Sequence, residues 1–132
     1  MPLTSLTVIE SAIRSGWSLD TCDPVDRPDW TVDNPARGQC GVTALVLHDL
    51  LGGRLLLADV LRTDGSRQGV HWWNRLPAGV DVDLTREQFT ADEHVQEPRP
   101  MDRPPGDPAR LAHEYRLLRA HVRARLGLGH GD

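Results

Sequence analysis

Cysteine is scarce in this chain of 132 residues: there are two, Cys22 and Cys40. Two thiols exclude the disulfide framework on which small secreted domains depend. No apolar run approaches the roughly 18 residues of a membrane span, and the opening MPLTSLTVIESAIRSG lacks the basic start and apolar stretch of a secretory signal. The default expectation is therefore a cytoplasmic protein with no membrane partner. The net charge of −4 gives no general reason to expect nucleic acid. There is no phosphate-cradling glycine loop, no dinucleotide fingerprint and no Gly-x-Ser-x-Gly elbow. Cys40, His48, His71, Asp81 and Asp83 could in principle bind zinc, but the paired spacings of zinc sites are missing, so neither metal nor other cofactor is expected.

The composition, 39% hydrophobic and 26% charged, is that of an ordinary globular domain long enough to bury one core. Residues 4–15 carry apolar positions at helical spacing, with Gly16 placed to end the helix. Residues 17–38 are rich in Pro, Asp and Asn and read as a long ordered loop pinned by Trp17 and Trp30. From Gly41 to Leu51 apolar residues run almost all the way round, which marks a buried helix stopped by Gly52-Gly53. RLLLADVLR, VHWWNRL and VDVDLT read as three strands of an antiparallel sheet. A Pro-rich linker spans 91–107. Residues 108–132 form an accessory amphipathic helix, with Asp107 as N-cap and Pro108 at its first position. Its stripe of Leu111, Tyr115, Leu118 and Val122 can dock on the body, residues 1–90, or on a second copy in a homodimer. The fold class is α+β.

Cys40 stands between Gln39 and Gly41, where the loop becomes the buried helix. A cysteine taken alone is more often a buried or inert thiol. At a helix tip, however, the helix field and the unpaired N–H groups favour thiolate and can hold an oxyanion. Gly38 and Gly41 leave room for a substrate to approach. A nucleophile needs a base, and the base an orienting acceptor; His71 and Asp83 follow on two adjacent strands. Trp72 and Trp73 point to opposite faces, one into the core and one able to wall a cleft. His48, Asp49 and Cys22 read as structural.

The stretches SGWSLDTC, GQCGVTALVLHDLLGG and HWWNRLPAGVDVDLTREQF together resemble the YunG-like family of small bacterial proteins over residues 6–89. The order Cys, His, Asp is similar to that of the papain and transglutaminase-like superfamily. The resemblance implies a papain-like fold, with the cysteine helix packed on an antiparallel sheet. It implies Cys40 as nucleophile, His71 as base and Asp83 as the third member, acting on a small-molecule or peptide-like substrate. It also implies a side-chain amide in the oxyanion hole, for which Asn34 and Gln39 are the candidates, beside Gly41 and Trp73 in the substrate site. The expected activity is that of a thiol hydrolase or acyltransferase; the alternative is a non-catalytic binding module on the same fold.

Strand register decides which aspartate serves His71. With Pro77, Ala78 and Gly79 as a three-residue loop, Leu76 pairs with Val80 and Arg75 with Asp81. His71, Trp73, Asp81 and Asp83 then share one face, and Asp83 is the diagonal neighbour of His71. Cys40 is expected on that polar face, with the N- or C-terminal helix covering the apolar one.

Overall fold

The computed structural model describes residues 5–129. Thr4, where the sequence spacing starts the first helix, and residues 130–132 lie outside the described residues. Helix α1 spans Leu6–Arg14 and is capped by Ser5, whose hydroxyl accepts the Val8 N–H at 3.2 Å. It buries Ile9, Ala12 and Ile13. Helix α2 spans Cys40–Leu51, buried on nearly every side as its apolar run requires. Between them the long loop is ordered: the Trp17 indole donates to Thr43 Oγ1 and that of Trp30 to the Pro35 carbonyl, both at 3.0 Å.

Five strands follow: β1 Arg54–Arg62, β2 Arg67–Arg75, β3 Asp81–Val82, β4 Glu93–Val95 and β5 Arg99–Met101. The sheet order is β3-β2-β1-β4, with β5 also on β1, and every pairing is antiparallel. β2 starts three residues earlier than the sequence reading, and β3 is shorter. The register between them has Asn74 opposite Val82 and Arg75 opposite Asp81, and the Leu76 N–H donates to the Val80 carbonyl at 2.8 Å.

The two faces are covered differently from expectation. Asn74 Nδ2 donates to the Ala44 carbonyl at 2.9 Å, so α2 itself lies on the Trp72 and Asn74 face. On the opposite face His71 and Trp73 pack beside Ala58 and Leu56, their partners on β1, with Val95 nearby. The cysteine helix therefore does not approach the polar face, because its apolar surface needs the apolar side of the sheet.

Residues 91–107 are not a bare linker: β4 and β5 extend the sheet along β1. Nor is the C-terminal helix accessory. Helix α3 spans Ala112–Arg125, and its Tyr115, Leu118 and Val122 belong to the same core as Ile9, Ile13, Val46 and Leu47. α3 comes so close to Gly16 that a Cβ there would stand 2.8 Å from Leu118 Cδ1. Three of the four stripe residues that could have faced a second copy, Tyr115, Leu118 and Val122, are buried within the chain, and Leu111 is half-buried. The helix begins at Ala112 rather than Pro108; Asp107 accepts from Arg116 at 2.9 Å instead of capping it.

Candidate active site

The place of Cys40 follows from an interrupted ladder. β3 pairs with β2 only at Asn74 and Arg75, so the edge of β2 is open beyond them. Even-numbered residues of β2 turn their N–H groups toward that edge, as Leu76 does. At Trp72 no strand is left to accept, and the N–H is met by the Cys40 sulfur. The first residue of α2 thus reaches the sheet at its edge, one residue from His71, without crossing a face.

His71 is fully buried and held on three sides. Its Nε2 lies 2.7 Å from Asp83 Oδ2; Trp73 stacks on the ring at 5.3 Å and Phe89 meets it edge-on at 4.8 Å. Its Nδ1 is buried without a hydrogen-bond partner. Asp83 also accepts from Arg86 Nε at 2.6 Å and from the Thr85 N–H at 3.3 Å. Burial works to raise its carboxyl, yet the bonds from His71 and Arg86, with their charges, hold it below the ordinary range. Asp81 is occupied elsewhere, 2.7 Å from Arg75 Nε on the surface. The register separates the two aspartates as expected.

Burial pushes Cys40 up to about 11; the Trp72 N–H favours thiolate, but the charges of Asp26, Asp83 and Asp23 add to the rise. Desolvation and the three carboxylates act against the lowered value expected at a helix tip. Cys22, fully buried and close to Asp26 and Asp23, is pushed up to about 12, with burial the largest cause. Both cysteines are free, so no bridge joins them.

A small cavity of about 80 Å³ opens at Cys40, lined among others by Asp23, Asp26, Gly41, Trp72, Gln88 and Phe89. Gly41 is where the sequence put it. Trp73 is not; it is a packing partner of His71, and Trp72 walls the cavity instead. Asn34 and Gln39 lie outside it as well. Asn34 donates to the Gln88 carbonyl at 3.0 Å, and Gln39 is locked between Thr21 Oγ1 and the Ser18 carbonyl, at 2.7 and 2.9 Å. Two side-chain amides line the cavity, the half-buried Gln68 on β2 and the buried Gln88. Gln88 Oε1 accepts the Gly38 N–H at 3.1 Å, which fixes the amide and leaves Nε2 buried and unpartnered. Gly38 adopts φ +72°, and a Cβ there would stand 2.5 Å from Cys22 Sγ, so this turn needs glycine. Gln88 lies in the stretch REQF, but no spacing rule ties it to a cysteine 48 positions earlier; only the fold brings them together. Among the described residues no three His, Cys, Asp or Glu side chains converge to hold a metal ion, and no helix is long and apolar enough to cross a membrane.

The family model described as YunG protein matches residues 5–127. The chain belongs to the YunG family. The match runs through α3, well past Phe89, where the quoted motifs end. A Bacillus subtilis (strain 168) relative, described as uncharacterized protein YunG, is 41% identical over 88 residues, covering 67% of this chain and 66% of the relative. No solved structure matches the chain.

Proposed function

We propose that the protein is a papain-like thiol hydrolase or acyltransferase that works through a thioester on Cys40. The observation that carries the reading is the division of labour on the His71 ring: Nε2 is anchored by Asp83, while Nδ1 is buried, unpartnered and one residue from the N–H that meets Cys40. An imidazole held at one nitrogen is oriented to take a proton at the other.

Because the thiol rests protonated, His71 acts as general base during attack rather than as half of a standing ion pair. The Cys40 proton passes to Nδ1 as sulfur bonds to the substrate carbonyl carbon and the carbonyl π pair moves to oxygen. The Cys40 N–H and Gln88 Nε2 are the donors for that oxyanion. When the C=O reforms, the leaving group departs with the proton from His71. Water, or an acceptor nucleophile, then releases the acyl group and restores the thiol. Asp83 holds the ring and balances its transient positive charge.

One observation favours the other reading, a non-catalytic binding module: a thiol pushed up to about 11 is unreactive by itself. Mass spectrometry after treatment with p-nitrophenyl acetate separates the two. The enzyme reading expects an acetyl adduct on Cys40, none on Cys22 and none in Cys40→Ala. Gln88→Glu, which keeps the Gly38 bond but loses the amide donor, should slow acylation about 10- to 1000-fold. Alkylation by iodoacetamide, which forms no oxyanion, should slow far less, only as far as the added carboxylate disfavours thiolate. A folded wild-type protein without the adduct would leave the binding module.

A further inference from the structure

A space of about 80 Å³ at Cys40 holds only the reacting carbonyl and its nearest atoms, the room of a few water molecules. The rest of a substrate needs another place, and one adjoins it. A second cavity, about 280 Å³, shares Gly41, Trp72, Arg110 and Leu111 with the first. Its walls are mostly apolar, with Ala44, Leu45, Leu55 and Pro108 beside Trp72 and Leu111.

The cavity is a built one. Arg103, on its rim, donates to the Leu45 carbonyl at 3.1 Å and to Tyr115 Oη at 3.0 Å and pairs with Asp49, which ties the 102–108 segment to α2 and α3. Leu111 takes φ +67°, the left-handed region that a leucine occupies only when its surroundings demand it. That conformation sets its side chain against Gly41, where an added Cβ would meet Leu111 Cδ1 at 3.5 Å. Both rim cations are answered internally, Arg110 by Asp23 at 2.6 Å and Arg103 by Asp49, while the Asp102 carboxylate on the rim is exposed to water. Nothing there asks for an anion.

Resting on the thiol-enzyme reading, we propose that this cavity binds the uncharged aliphatic acyl group of the substrate. The acyl group is the part that stays joined to Cys40 after the leaving group has gone, and Gly41 is the next residue. An apolar chain lying beside it would be desolvated along Trp72 and Leu55 while its carbonyl faces the sulfur.

The test compares Cys40 acylation by p-nitrophenyl acetate and p-nitrophenyl hexanoate in wild type and in Ala109→Trp, whose indole fills the cavity from its exposed rim. Calorimetry measures hexanamide binding to Cys40→Ala, with and without Ala109→Trp. We expect kcat/KM for hexanoate to exceed that for acetate by about tenfold or more. The ratio should fall to near one in Ala109→Trp with the acetate rate kept, and hexanamide should bind only with Ala109 in place. Equal rates for the two esters on a reactive Cys40, or hexanamide binding untouched by Ala109→Trp, would overturn the acyl site. If no ester acylates Cys40 while hexanamide still binds in an Ala109-dependent way, the nucleophile fails and the aliphatic site stands.

Discussion

Truncation after Pro100 should abolish folding. The cut removes Tyr115, Leu118 and Val122, three side chains at most 3% exposed in the core shared with α1 and α2. It also removes Arg103 and Met101, one of the three β5 residues paired with β1. Fully burying side chains of this kind contributes about 1.5–3 kcal/mol each. Losing three, and leaving Ile9, Ile13 and Leu47 facing water, takes away roughly 5–9 kcal/mol from a domain that has about 5–15 in all. Leu118→Ala alone should cost about 2–5 kcal/mol. Circular dichroism and urea unfolding of both variants check this. A truncated chain with a cooperative transition would return α3 to the accessory role that its linker suggested.

The second large effect is on chemistry. Asp83→Asn should lower Cys40 acylation about 10²- to 10⁴-fold, because an amide no longer balances the charged imidazole. The Asp83 charge also disfavours thiolate at Cys40. Its removal should therefore leave alkylation by iodoacetamide unchanged or slightly faster while acylation collapses. A structural collapse would not produce that split. Asp81→Asn weakens a surface pair with Arg75 and a long bond from the Trp73 indole N–H, 3.4 Å, and should change either rate less than twofold and leave stability nearly unchanged. Equal losses in the two variants would remove Asp83 from its role.

How much of this was legible in sequence depended on range. The periodicity of residues 41–51 and 54–62 gave α2 and β1 because one element's burial is written in its own residues. The Pro-Ala-Gly loop gave the β2–β3 register, because one-residue slips would mix the faces. Three features were hidden. Where α2 lies depended on which sheet face its apolar surface would select, and the open edge at Trp72 exists only because β3 stops at Val82. The proline-rich composition of 91–107 concealed β4 and β5, short edge strands in which Pro100 is tolerated. Gln88 was invisible because its importance comes from a hydrogen bond to Gly38 and from an amide nitrogen with no partner. The helix-tip position of Cys40 suggested a thiolate, whereas burial and nearby carboxylates favour the protonated thiol.

That last point makes the pH dependence of acylation in wild type and His71→Gln the most direct measurement of the central claim. Without a base, only preformed thiolate reacts. With the thiol at about 11, the rate of His71→Gln should climb about tenfold per pH unit from pH 7 toward that value. Wild type should react far faster at pH 7 and rise much less steeply, because His71 takes the proton as the bond forms. The two profiles should converge near pH 11. Parallel profiles of equal slope, with the substitution lowering neither the rate at pH 7 nor its dependence on base, would contradict a His71-assisted Cys40.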